Sequence, residues 1–536
     1  MEQLQCYLRG ILSAAQIPDA YVRVSSLPLT DQGLVDEQAL LDLEVIDSDL
    51  MQRWVNQLRS VSEVEQAAVV VQEYAEKIPP LHLLDVLPNW KVANDSSVHP
   101  TRIVPQASNH KSDSIAISHG EPLQLPTDAP KNLSQVLLRA AKEASERGIV
   151  YIHTDGSEIV QSYEALLEEA QRLLAGLRKL GLKAQDKVIF QFDRYQDFIP
   201  AFWGCILGGF VPVPITIASN YEDVSDTNVK KLQNAWQVLA QPIVLTSSSI
   251  APQIRSLSSQ LNFENLQVET VENLGLHDPD QNWHKSQPDD LALLLLTSGS
   301  TGMPKGVTLT HCNIISSVAG TSKMSHLTSQ DISLNWLPLD HPGPLVRCVI
   351  RCVFLGCQQI HAPTAIVLQN ILKWLDLIER YQVTTTWAPN FAFAMLFDRA
   401  LDIEKGRWNL SSVKSFLNTA EPIVPQTARR VLELLSPHAL TANAMHSSWG
   451  MAETCSGVTC SDRYLLDSSI PQYASFAELG SPSPGISLRI VNDKNEVVNE
   501  QTIGYLQVKG STVTSGYYQN PELNRDVFTE DGWFNT

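Results

Sequence analysis

From Ser162 onward the chain repeats one pattern, a stretch with apolar residues at helical spacing followed by a short unbroken apolar run. Leu166, Ala170, Leu173, Leu174, Leu177 and Leu180 recur every three or four residues, Gly181 is placed to end the helix, and "KVIFQF" follows as a short buried strand. The order returns in "FIPAFWGCILGG" before "FVPVPI", in "NVKKLQNAWQVLA" before "QPIVLTS", and in "ILKWLDLIERYQ" before "VTTTWAP". Helix and strand in strict alternation predict layered α/β subdomains with largely parallel strands. Ligands in such folds gather at the carboxyl ends of strands.

Length leaves room for more than one core, because single domains usually run about 100–200 residues and this chain has 536. Residues 91–130 lack periodicity and are rich in Ser, Pro, His and Asp, which is the composition of a linker. A net charge of −19 argues against a nucleic-acid partner, since a phosphate backbone needs a basic face. Phe198–Ile215 carries no charge, but Pro200, Pro212, Pro214 and the Gly208–Gly209 pair break it into a buried helix, a turn and a strand rather than a membrane span. The N-terminal "MEQLQCYLRGIL" is unlike a secretion signal, and eight scattered cysteines without a C-x-x-C pair fit a reduced, cytoplasmic compartment. Cys348, Cys352 and Cys357 between His341 and His361 match no zinc spacing and read as small buried hydrophobes.

One stretch bears directly on chemistry. The apolar run "LALLLL" ends in "TSGSTGMPKGV", residues 297–307. Glycines let backbone N–H groups approach an anion, hydroxyls add donors and Lys305 adds charge, so phosphate is the natural ligand. It is no Walker A loop, because Lys305 is followed by Gly306 and a strand-like run rather than by Ser or Thr opening a helix.

That string resembles the phosphate loop of the adenylate-forming superfamily of acyl-, aryl- and amino-acid-activating enzymes. "SYEAL" (162–166), "LGGFVPVPI" (207–215), "HSSWGMAET" (446–454), "IGYLQVKGSTVTSGYYQNPE" (503–522) and "DGWFNT" (531–536) resemble its other core motifs in the correct order. The resemblance implies an adenylation core over residues 131–536 that uses ATP and Mg²⁺. Thr297, Ser298, Gly299, Ser300, Thr301, Gly302 and Lys305 would hold the β- and γ-phosphates. Trp449 and Gly450 would face adenine, whose polar edge would meet the backbone at Ala420 and Glu421. Glu453 would ligate the magnesium that bridges the phosphates. Ala452 stands where the family often has Thr, as in fatty acyl-AMP ligases, which puts one hydroxyl contact to the α-phosphate in doubt.

The acid pocket maps by the same resemblance. His341 aligns with the gating residue, and Pro342 stands where amino-acid-activating domains carry the Asp that pairs with the substrate ammonium. A buried ammonium without a counter-charge is strongly unfavourable, which turns the reading toward a non-amino acid; Asp340 is the nearest substitute. Gly343, Val346, Trp387, Leu417, Thr419, Ser448, Ser456 and Gly457 would complete a mostly apolar lining with a few hydroxyls, suited to an aryl or phenylpropanoid acid or a branched 2-oxo or 2-hydroxy acid. "WLPLDHPG", "LGCQQIHAPT" and "WAPNFAF" resemble loading domains of cyanobacterial hybrid peptide–polyketide synthetases. The acceptor would then be the phosphopantetheine of a carrier protein, with downstream synthase domains as further partners. Rival readings are a fatty acyl-AMP or acyl-CoA ligase and a catalytically silent docking scaffold.

Residues 1–90 resemble a small α+β lobe of the same superfamily: "IPDAYVRVSSLPLTDQGLVDEQAL" ends like the mobile C-terminal lobe, with Leu34 in the place of its catalytic lysine. A non-catalytic pseudo-lobe is therefore expected, followed by the linker and a core without the mobile lobe, because the sequence given stops at Thr536 before the family's hinge. Such a chain is expected to bind nucleotide and acid and to adenylate poorly.

Overall fold

The computed structural model describes residues 114–260, 265–297, 305–461 and 477–536. The pseudo-lobe expected over residues 1–90, with Leu34, lies outside the described residues, as do linker residues 91–113.

The first layer is an all-parallel sheet in the order Val211–Pro214, Lys187–Gln191, Ile243–Thr246, Val268–Thr270. Helix Tyr163–Lys179 starts where Ser162 accepts a hydrogen bond from the Ala165 amide, carries Arg178 and Lys179 in its last turn against the dipole, and gives way to Gly181 at φ +90°. The uncharged stretch folds as helix Tyr195–Gly208, a left-handed Gly209 at φ +69°, and strand Val211–Pro214. Gly209 is required twice over, since an added Cβ would also lie 2.4 Å from the His284 ring. No helix among the described residues is long and apolar enough to cross a membrane.

The second layer is a seven-stranded sheet ordered Met445–Ser447, Ser415–Asn418, Thr385–Ala388, Ile332–Asn335, Gln358–His361, Gly148–Ile152, Glu158–Ser162. Every neighbouring pair is parallel except the last, an edge hairpin. Its core is aromatic: the buried Trp374 ring lies 4.7 Å from Phe416, 5.4 Å from Phe393 and 5.5 Å from Trp336. An antiparallel sheet of Ile117–His119, Ile486–Val491, Tyr505–Gly510 and Phe534–Asn535 completes the α/β architecture.

One element departs from expectation. Leu291–Thr297 joins neither parallel sheet; it pairs antiparallel with Lys305–Thr310, with Thr297 opposite Lys305. The apolar run signalled burial correctly, since Leu293, Leu294 and Leu295 are core residues, but burial does not name a strand's partner. The far edge of Lys305–Thr310 is covered by the late segment, where the Thr308 amide donates to the Gly516 carbonyl (3.1 Å) and the Tyr518 amide to Gly306 (2.7 Å).

Candidate active site

The hairpin brings both ends of the glycine- and hydroxyl-rich loop together. Ser298, Gly299, Ser300, Thr301 and Gly302 lie outside the described residues, but Thr297 and Lys305 face each other across its base, with the Thr297 hydroxyl 3.4 Å from the Lys305 carbonyl. Docking of the late segment then gathers the charged groups. The Lys305 ammonium sits 5.5 Å from the centre of the Tyr517 ring, and the Tyr517 hydroxyl donates to Glu453 Oε1 at 2.8 Å. Glu453 is buried in the short turn Ala452–Thr454, and the Thr514 amide donates to its carbonyl at 2.7 Å. Burial, reinforced by the Glu453 carboxylate, holds the Tyr517 phenol proton on far above the ordinary tyrosine range. The result is a cation, a buried carboxylate and a phenol between them, at the base of the glycine- and hydroxyl-rich segment.

Beside this cluster opens a cavity of about 400 Å³. Its lining includes His341, Pro342, Gly343, Trp387, Thr419, Ser456 and Gly457, expected at the acid pocket, together with Ala420 and Gly450, expected at the adenine. His341 is exposed at its edge. Trp387 donates from its indole to Cys348 Sγ (3.2 Å) and lies against Gly343, where a Cβ would come within 2.9 Å of the ring. Asp340 is not on this lining. It accepts from the Thr216 hydroxyl and borders a neighbouring cavity instead. Among the described residues the lining holds no carboxylate.

It does hold a buried guanidinium that the sequence reading missed. Segment Gly343–Ile350 is a π-helix, in which the Arg351 amide reaches back five residues to the Val346 carbonyl. On it Arg347 lies on the cavity and Val346 in the core. Arg347 Nε donates to Ser456 Oγ (3.0 Å) and Nη2 to Ser448 Oγ (3.2 Å). Ser456 adopts φ +102°, a conformation rare outside glycine, and an added Cβ at Gly457 would lie 1.7 Å from Nη2. Burial, with the nearby charge of Arg351, pulls the Arg347 pKa down to about 10, which still leaves it cationic near neutrality.

Two other expected pocket residues lie off the lining: Leu417 packs in the aromatic core, and Ser448 stands behind Arg347. Ala420 lies on it in a left-handed conformation (φ +76°). The Glu421 carboxylate is used locally, accepting the Phe391 amide at 2.6 Å, and so is not aimed at a ligand. Trp449 is half-buried, its ring packed on Val458, Ile486 and Val508, with Gly450 pairing with Gly457. Among the described residues no three His, Cys, Asp or Glu side chains gather as a metal set; Cys348, Cys352 and Cys357 are buried free thiols. Tyr517 was legible only as part of a late motif, and nothing in its own position marked it as a partner of Glu453.

The AMP-binding enzyme family model matches residues 138–518. The chain is 34% identical to the nonribosomal peptide synthetase atrA of Aspergillus terreus over 76% of its own length and 44% of that protein's, so it spans less than half the length of such relatives. Among solved structures it resembles the McyG adenylation–carrier protein complexed with phenylalanyl-adenylate (43% identity, TM-score 0.76, 78% of this chain and 65% of that one). It also resembles an adenylation, ketoreductase and pseudo-Asub multidomain structure of a keto acid-selecting nonribosomal peptide synthetase module (36%, TM-score 0.75, 91% and 42%). The chain belongs to the AMP-binding enzyme family and is an acid–AMP ligase of the adenylation-domain type.

Proposed function

We propose that the chain activates a non-amino carboxylic acid, aryl or branched 2-oxo or 2-hydroxy, as its acyl-adenylate, for loading onto a carrier-protein phosphopantetheine. One observation carries the reading: the acid cavity has Pro342 and a buried Arg347, and no carboxylate, where an amino-acid pocket needs a counter-charge for ammonium. A desolvated ammonium facing a guanidinium meets repulsion in a medium that screens poorly. The likeness to a keto acid-selecting synthetase module points the same way, and the McyG structure, which holds an amino-acid adenylate, makes amino acids the deciding competitors.

In this reading the substrate carboxylate attacks the α-phosphorus of ATP and pyrophosphate leaves. Lys305 and the loop amides offset the charge on the leaving oxygens, and Trp449 and the Ala420–Glu421 backbone hold the adenine. Glu453 suits Mg²⁺, because its Oε1 is fixed by Tyr517 and one protein carboxylate plus substrate phosphates is the usual magnesium set. The ion would supply charge neutralisation there. His341 would gate the cavity between acid and incoming thiol. The similarity to the pseudo-Asub structure extends over 91% of the chain, which supports a non-catalytic lobe over residues 1–90 ahead of the 131–536 core. A carrier protein and downstream synthase domains are the partners, in the cytoplasm.

ATP–pyrophosphate exchange driven by a panel of amino, 2-oxo, 2-hydroxy, aryl and long-chain acids tests this by the ranking of the acids, since the rate itself is expected to be low. Exchange is expected with the 2-oxo, 2-hydroxy or aryl acids. A preference for amino acids would contradict it, and a preference for long chains would favour a fatty acyl ligase.

A further inference from the structure

Arg347 is the least explained group in the cavity. Its side chain is buried, yet its only hydrogen-bond partners among the described residues are two serine hydroxyls, and no carboxylate pairs with it. A guanidinium carries five N–H donors in a fixed fork, so Ser448 and Ser456 leave donor capacity over. A buried cation without an anionic partner costs stability, and an apolar residue of similar volume would avoid that cost. The chain nevertheless builds for it: it lies on the π-helix that borders the cavity, Ser456 sits at φ +102° to hold Nε, and position 457 can carry no Cβ beside Nη2. Trp387, Pro342, Pro344 and Met451 make the rest of the wall largely apolar, so nothing else there competes for a substrate oxygen as strongly.

We infer that Arg347 is the specificity-determining residue of the acid pocket, and that it selects acids bearing a second acceptor oxygen besides the carboxylate being activated. A 2-oxo group, a hydroxyl or a ring phenol would each complete the guanidinium's donors. An unsubstituted hydrocarbon acid would leave them unpaired and dry, and an ammonium would be repelled. This rests on the reading of the cavity as the acid pocket.

The test is titration calorimetry of the full chain with three non-hydrolysable acyl-sulfamoyl adenosines: 3-phenylpropanoyl, its 2-oxo counterpart, and its ring 4-hydroxy counterpart. At least one oxygenated analogue should bind about 10- to 100-fold tighter than the parent, and which one does so locates the oxygen. Arg347→Met should erase that gain, closing the gap between the oxygenated analogue and the parent, and Arg347→Lys should restore only part of it, lacking the planar fork. Thermal melting of each variant checks that it is folded, and a variant that fails to fold is replaced by Gly457→Ala, which should displace Nη2 from the same place. Equal binding of all three analogues, or an equal loss for all three in Arg347→Met, would overturn the inference and leave the pocket standing. Binding of none would overturn the pocket reading and the inference with it.

Discussion

Glu453 and Tyr517 share a 2.8 Å hydrogen bond across 64 residues of sequence, and Lys305 lies over the same ring. A phenol that keeps its proton can only donate to a carboxylate, so it fixes one oxygen of Glu453 and leaves the other for a ligand. Tyr517→Phe keeps the ring beneath Lys305 and removes only that donor. Groups that orient a metal-binding carboxylate are worth about 10- to 100-fold in metal affinity. The magnesium concentration needed to half-saturate binding of a non-hydrolysable ATP analogue should therefore rise by roughly tenfold. An unchanged magnesium titration would show that Glu453 needs no such orientation.

At the scale of elements, two local geometries shape the site, the π-helix Gly343–Ile350 and the hairpin that carries the loop. Gly343 is where the π-helix meets Trp387, and an added methyl would crowd the indole at 2.9 Å while Cys348 holds its nitrogen. Gly343→Ala should narrow the cavity: an aryl acid should lose about tenfold in affinity, and an acid the size of acetate should lose little. Competition binding measures both, and equal losses would place the indole outside the acid's path. In the hairpin, Gly306 lets the late segment close in, with the Tyr518 Cβ only 3.2 Å from where its own Cβ would be. Gly306→Val should lift that segment and weaken nucleotide binding severalfold, read by equilibrium titration, without moving the acid-pocket preference.

Across the whole molecule, buried ionisable groups set the response to acid. Burial lowers His361 to about 3 and His311 to about 4, so both fold neutral and must charge when unfolded. Their folded values lie below the unfolded one near 6.5, so the stability they lend is present above about 6.5 and is lost as pH falls toward 3. Asp197 works in the opposite sense: burial, opposed by Arg194, raises it to about 6, so it favours the fold as pH falls from 6 to 4. Glu169 is raised by burial as well, but the two histidines, joined by the lowered carboxyls of Asp331 and Asp280, outweigh both raised ones, and the melting temperature should drop steadily from pH 6.5 to 4. A flat profile over that range would mean that the imidazoles are not buried as described.

Much of this was legible beforehand. Periodicity located the helices from Tyr163, Tyr195, Thr227 and Leu372 and the strands after them, because apolar faces must be buried whatever the partner. The resemblance singled out Lys305 and Glu453, and seven of its acid-pocket positions, His341, Pro342, Gly343, Trp387, Thr419, Ser456 and Gly457, fall on one cavity. What escaped depends on tertiary context. An apolar run does not reveal whether its strand lies in a sheet or a hairpin. Arg347 rather than Val346 lies on the cavity, and no local spacing signals it. Only the packing of distant segments brings Tyr517 to Glu453.

The central claim is that this pocket takes an acid without an α-ammonium. Direct titration of matched 2-oxoacyl and aminoacyl sulfamoyl adenosines, identical beyond the α-carbon, measures it most plainly. The 2-oxo analogue is expected to bind at least about tenfold tighter. Equal affinities, or tighter binding of the aminoacyl analogue, would contradict it.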